Sequence, residues 1–277
     1  MAELLKGVPA AKALAESLRA ESDALRGRGV TPTLAILRVG ERDDDLAYER
    51  AARKRCEQCG VDARQITLSA DVSQEALLAA LSALNADASV HGILPLRPLP
   101  FDAETCAALA PQKDVDGVTG ASMAALYAGN GAGFAPCTAE ACVALLRHYG
   151  VPLAGKRVTV VGRSLVIGKP VALLSLAENA TITVAHSKSR GLPELCRAAD
   201  ILIVAAGKAG LIGAEHVRPG QTVIDVGIHA APDGALCGDV RFAEAESVVD
   251  AITPVPGGVG ALTTAILCKH VIEAASR

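Results

Sequence analysis

Aliphatic, β-branched runs alternate along this chain with stretches of helical period, and that alternation constrains the fold more than any other feature. A helical pattern covers 8–27, and TPTLAILRV (31–39) then reads as a strand bounded by Gly40. A helix is expected near 44–59 and a strand over 61–68. DVSQEALLAALSALNA (71–86) opens with a capping pattern and keeps helical period. SVHGILPL (89–96) is a buried strand that runs into the proline-rich RPLP. Strands that alternate with helices in this way form a parallel sheet covered by helices, so the class is α/β.

The second half repeats the pattern more cleanly. CTAEACVALLRHYG (137–150) is a helix that serves as a connector. KRVTVVG (156–162) is a strand, 167–178 a helix, and 180–187, 199–207 and 221–227 are further strands, as in a nucleotide-binding fold. Glycines and prolines crowd 111–136, which reads as a loop with a hinge just after it. The expected division is therefore a first α/β domain over 1–136 and a Rossmann-like domain over 137–259. The helix in 260–277 crosses back to complete the first domain.

Composition narrows the function. A net charge of −3 gives no electrostatic case for nucleic acid. Aromatic residues are 2% of the chain and Trp is absent, so a base-stacking platform is not expected. No stretch approaches the ~20 uninterrupted apolar residues of a membrane span. Glu3, Lys6 and Lys12 interrupt the apolar N-terminal pattern, which reads as an amphipathic helix rather than an export signal. The eight cysteines are then free thiols of a soluble, cytoplasmic protein. Cys56 and Cys59 form a lone CxxC without a second pair, and no metal is expected.

VVGRSLVIGKP (160–170) lies between a strand and a helix, where backbone N–H groups face a phosphate. Its glycines, Gly162 and Gly168, are not spaced as GxGxxG. NAD-selective folds place an acid about 20 residues on, against the ribose hydroxyls. Here the next strand ends in Ala185-His186-Ser187-Lys188-Ser189-Arg190, with no acid before Glu194. Hydroxyls and cations, Arg163 among them, suit a 2′-phosphate and hence NADP. Asp114 and Asp116 lie in a glycine-ended turn, Tyr48 in an Arg- and Lys-rich helix, and His91 reads as a satisfied core histidine. PVPGGVG (254–260) carries so many glycines that it reads as a loop whose backbone approaches a ligand.

Taken together, these motifs resemble the methylenetetrahydrofolate dehydrogenase/cyclohydrolase family. The likeness rests on VHGIL (90–94), PLP (98–100), KDVDG (113–117), PCT (136–138), the 160–170 turn, ATITVAHSKS (180–189), GDV (238–240) and TPVPGGVG (253–260) in order. It implies two α/β domains, a folate site in the first, NADP in the second, and a homodimer. It implies tetrahydrofolate one-carbon derivatives as substrates. Hydride leaves the methylene carbon for NADP, and the methenyl product is hydrolysed to the 10-formyl form. Residue by residue, the resemblance carries Arg163, Ser164 and Ser187 over as NADP-contacting, and Gly162, Gly168, His186 and Ile228 complete the expected cofactor-binding set. It carries Tyr48, Asp116, Pro256, Gly257 and Gly258 over as substrate-binding, with Tyr48 and Asp116 also catalytic.

The departures are specific. The family's Tyr-x-x-x-Lys-x-Lys reads Tyr48-Glu49-Arg50-Ala51-Ala52-Arg53-Lys54, so Ala52 stands at the catalytic lysine's place. Its GILVQLPLP reads GILPLRPLP, so Leu96 replaces the lysine's glutamine partner and Arg97 follows it. Ala261 replaces a proline. Arg97 is the remaining cation able to reach the site, and is counted as a catalytic candidate. The expected function is thus NADP-dependent oxidation of methylenetetrahydrofolate with weak or absent cyclohydrolase activity. A fully bifunctional enzyme and a non-catalytic folate- and NADP-binding protein are the alternatives.

Overall fold

The computed structural model describes residues 1–131, 133–231 and 234–277. The chain opens with β1 (Glu3–Leu4) and α1 (Gly7–Gly27). There follow β2 (Thr33–Val39), α2 (Asp43–Cys59), β3 (Asp62–Leu68), α3 (Gln74–Ala86), β4 (Gly92–Pro95), α4 (Asp102–Ala108) and α5 (Gly120–Ala128). The second half runs through α6 (Cys137–His148), β5 (Arg157–Val161), α7 (Gly168–Ala177), β6 (Thr181–Ala185), α8 (Leu192–Arg197), β7 (Ile201–Val204) and β8 (Thr222–Asp225). It closes with β9 (His229–Ala230), β10 (Leu236–Cys237), α9 (Phe242–Glu246), β11 (Ala251–Ile252) and α10 (Gly260–Ser276).

The chain forms two compact units, Lys12–Cys137 with Thr264–Arg277, and Met1–Ala11 with Thr138–Thr263. The first holds a parallel sheet in the order β3-β2-β4. Every residue of β2 is buried, which is why TLAILRV shows no alternation: a central parallel strand has both faces covered. Leu77, Leu81 and Leu84 of α3 pack on Ala35, Leu37 and Val39 of β2. Helix α3 starts at Ser73, whose hydroxyl accepts the Ala76 N–H at 3.2 Å.

The second unit is a parallel sheet in the order β1-β11-β8-β7-β5-β6, with the β9–β10 hairpin beside it. Strand order reverses around β5, between β7 and β6, which places the topological switch point at the carboxyl end of β5. The sequence reading counted residues 1–11 with the first domain. In the structure they group with the second unit, because β1 adds to β11 as a parallel edge strand. A two-residue strand has no periodicity to betray it.

The loop expected over 111–136 is not wholly a loop, leaving aside Ala132, which lies outside the described residues. Helix α5 occupies its middle. Thr119 caps it by accepting the Ser122 N–H at 3.1 Å, and Gly129 ends it in the left-handed region. Its interior, ASMAALYA, is mostly good helix formers, and the surrounding glycines masked them. Among the described residues no helix is long and apolar enough to cross a membrane.

Candidate functional site

In the second unit, Gly162 turns the chain after β5 with φ near 133°, and a Cβ there would lie 2.1 Å from the Ala205 carbonyl oxygen. A Cβ on Gly168 would lie 2.4 Å from the Gly162 carbonyl oxygen. Both glycines are thus required by the closeness of backbone to backbone, whatever binds there. The Ser164 hydroxyl accepts N–H bonds from Ile167 at 3.1 Å and Gly168 at 3.3 Å, capping α7. Part of the donor set expected to face a phosphate is therefore already engaged.

A cavity of about 500 Å³ opens on this turn. Gly162, Arg163, Ser164, His186 and Ser187 line it, as do Ser189, Ala205, Ala206 and Lys208. Five of the seven cofactor candidates therefore meet in one cavity. Gly168 closes the turn from behind, and Ile228, 62% exposed, lies outside the lining. Ser189 shapes the β6 end by accepting the His186 N–H at 2.9 Å. Lys208 is the residue sequence reasoning missed. It follows β7 in the turn Ala205-Ala206-Gly207-Lys208, and a glycine turn at the carboxyl end of a parallel strand is the signal that marks it.

The cavity fits a phosphorylated dinucleotide. It offers Arg163, Lys208 and three serine hydroxyls, and its lining contains no carboxylate. Bound there, NADP would be held by the α7 end and these cations, and would supply the hydride acceptor.

In the first unit, Tyr48 is carried on the inner side of α2, whose buried residues include Glu49, Ala52, Cys56 and Cys59. The helix is fixed by a buried ion pair. Arg38 of β2 donates from Nε to Glu49 at 2.8 Å, and Gln65 of β3 donates to the other Glu49 oxygen. Burial holds the Tyr48 phenol well above its usual pKa, and the charge of Asp116 adds to this, so the two groups share one environment. The phenol stays protonated and can donate. Burial also raises the Asp116 carboxyl, while hydrogen bonds from Cys137 act the other way.

Ala52 is fully buried, at 0% exposure, one helical turn after Tyr48. Leu96 is 4% exposed. Neither offers a donor or a base. Arg53 and Lys54 line a separate outer groove with Arg50 and Glu57. Arg97, the catalytic candidate by position, is gripped by Asp102, with Nε at 2.9 Å from Oδ1 and at 3.0 Å from Oδ2. That pairing raises the Arg97 pKa further, so the guanidinium is a fixed cation and not a proton acceptor.

His91 accepts the Thr33 N–H on Nδ1 at 3.2 Å, as a core histidine does. Pro256, Gly257 and Gly258 belong to the second unit; Gly258 has a packing reason, and Gly257 a conformational one, with φ near 100° and open space where a Cβ would lie. A Cβ on Gly258 would meet the Pro254 carbonyl oxygen at 2.6 Å, and the Gly257 carbonyl accepts the Gly7 N–H at 2.8 Å. None of the eight cysteines forms a disulfide, and the Cys56 and Cys268 sulfurs lie 3.8 Å apart. Among the described residues no group of His, Cys, Asp or Glu is placed to hold a metal.

Two family models match the chain. The tetrahydrofolate dehydrogenase/cyclohydrolase catalytic domain matches 5–116, and the NAD(P)-binding domain of the same family matches 136–277. The chain is 47% identical to the bifunctional protein FolD of Carboxydothermus hydrogenoformans, over 99% of this chain and 97% of that one. It is similar in structure to the FolD methylenetetrahydrofolate dehydrogenase/cyclohydrolase of Campylobacter jejuni, with a TM-score of 0.96 and 35% identity over 100% and 99% of the two chains. The FolD enzyme of Trypanosoma brucei, solved with NADP and an inhibitor, gives a TM-score of 0.92 and 37% identity over 100% and 98%.

Proposed function

Because this chain belongs to the tetrahydrofolate dehydrogenase/cyclohydrolase family, we propose that it oxidises 5,10-methylenetetrahydrofolate to the methenyl form with NADP, and that its hydrolysis of the methenyl product is weak or absent. Asp116 binds the folate through the polar edge of its pterin, and Tyr48 donates a hydrogen bond beside it. Arg163 and Ser187 hold the 2′-phosphate, on a turn that Gly162 lets pack against the backbone of Ala205. Hydride transfer depends on positioning and asks for no side-chain base.

Hydrolysis does ask for one, because water must lose a proton as it attacks the methenyl carbon. A positioned proton-transfer group speeds such a step by about 10²–10⁴-fold. The observation that carries the proposal is Ala52, a buried methyl where a base would stand, with Leu96 buried where its partner would be. Arg97 does not substitute, being held on Asp102 and permanently charged.

The relatives' names favour a second reading, a fully bifunctional enzyme that hydrolyses with other groups or ordered water. One assay separates the two. NADPH and methenyltetrahydrofolate absorbance are followed together, and enzyme-dependent methenyl decay is measured alone. Methenyl product that accumulates during turnover supports the proposal. Hydrolysis that keeps pace with oxidation replaces it with the second reading, and no NADP reduction by folded protein leaves only a binding role.

A further inference from the structure

The GDV motif at 238–240 carries no assigned role, yet it holds a buried carboxylate aimed at the wall of the cofactor cavity. Asp239 is 0% exposed. Its Oδ2 accepts the backbone N–H groups of Ala206 at 2.6 Å and Gly207 at 3.0 Å, and its Oδ1 accepts that of Lys208 at 2.8 Å. Three successive N–H groups converging on one carboxylate define the path of the segment that follows β7. Ala206 and Lys208 of that segment line the cavity. The fourth partner is His229, whose Nε2 lies 2.7 Å from Oδ1 and whose side chain is partly exposed.

Asp239 is itself held by a second buried carboxylate. Asp225 accepts the N–H groups of Asp239 at 3.0 Å and Val240 at 2.9 Å. The two acids occupy space that two glycines leave free. A Cβ on Gly238 would lie 1.9 Å from an Asp225 oxygen, and one on Gly227 would lie 2.4 Å from the Asp239 carboxyl carbon. The pairing of D-x-G at 225–227 with G-D at 238–239 is therefore reciprocal: each acid fills the place of the other segment's missing side chain.

We propose that Asp239, with His229 as its outer partner, is a positioning residue for the dinucleotide: it sets the 206–208 wall and so presents the Lys208 ammonium to the cofactor's phosphates. This rests on the reading of the cavity as the NADP site. Lys208 is the cation at the β7 side of a cavity whose other lining cation, Arg163, stands in the β5–α7 turn. A wall hung from one carboxylate moves as a piece when that carboxylate loses an acceptor, and the ammonium moves with it.

The test is direct NADP binding, by titration calorimetry without folate, followed by steady-state kinetics. Asp239→Asn keeps the shape but turns an amide NH₂ toward backbone donors, and it should weaken NADP binding about tenfold, the worth of one net hydrogen bond. His229→Ala removes only the outer partner from a side chain near the surface, and should weaken NADP severalfold. In both variants KM for NADP should rise while KM for the folate stays at the parent value. A merely structural role would lower the melting temperature without that split. Should Asp239→Asn fail to fold, the His229→Ala comparison decides alone. Folded variants that bind NADP as the parent does overturn this inference and leave the dehydrogenase reading standing. A parent that binds no NADP overturns both.

Discussion

The β5–α7 turn and helix α2 both carry candidate site residues, but they hold them differently. The turn is made by backbone. Gly162 and Gly168 are demanded by approaches of 2.1 and 2.4 Å to carbonyl oxygens, and Asp239 holds the facing wall by three backbone N–H groups. Helix α2 offers side chains on an ordinary helical frame, held to the sheet by Arg38 and Glu49. A site made of backbone announces any change as a loss of fold. A site made of side chains can lose its reactive group while the helix stays as it was, and the function proposed above reads α2, with its buried Ala52, in that way.

The sharpest way to break this contrast is to restore the missing group. Ala52→Lys with Leu96→Gln should raise methenyl hydrolysis toward the 10²–10⁴-fold range of positioned proton transfer, with the dehydrogenase rate little changed. A lysine at 52 stands on the same helical face as Tyr48, one turn away. Hydrolysis unmoved in a folded double variant would show that the frame of α2, and not its side chains alone, differs from that of a hydrolase.

A smaller effect is expected on stability. Glu49→Ala leaves Arg38 charged and buried, at 8% side-chain exposure, without its carboxylate. Removing one partner of such a pair costs about 3–5 kcal/mol, read as a shift of the denaturation midpoint. Tyr48 is the residue just before Glu49, so folate KM should rise in the same variant while NADP binding holds. A loss below about 1 kcal/mol would place the pair with surface ion pairs and remove the anchor from the account of α2.

The smallest effect belongs to the turn's one exchangeable part. Arg163 is exposed on a backbone that does not depend on it. Arg163→Ala should reduce the preference for NADP over NAD by roughly 10- to 150-fold, the worth of a charge-assisted hydrogen bond of about 1.5–3 kcal/mol. NAD binding should be spared. Equal loss for both cofactors would mean that the arginine supports the turn itself.

What the sequence determined by itself was everything carried by short-range pattern. Period and caps marked nearly every longer strand and helix, and the place of VVGRSLVIGKP between a strand and a helix marked the turn. The lack of an acid before Glu194 marked the cofactor, and Cys56 and Gly60 set the register of α2 that puts Ala52 four residues after Tyr48. These are local because a helix or strand shows its buried face within a few residues. Tertiary structure alone decided the rest. It paired β1 with β11 across a separation of 248 positions, Leu4 against Ile252 among them. It turned Arg97 onto Asp102, gave Gly258 a packing reason, and set Asp225 and Asp239 against each other's glycines. Each of those outcomes depends on which distant groups meet in space. A carboxylate's choice among possible donors is made by the packing that brings one of them within about 3 Å, and no local pattern encodes that distance.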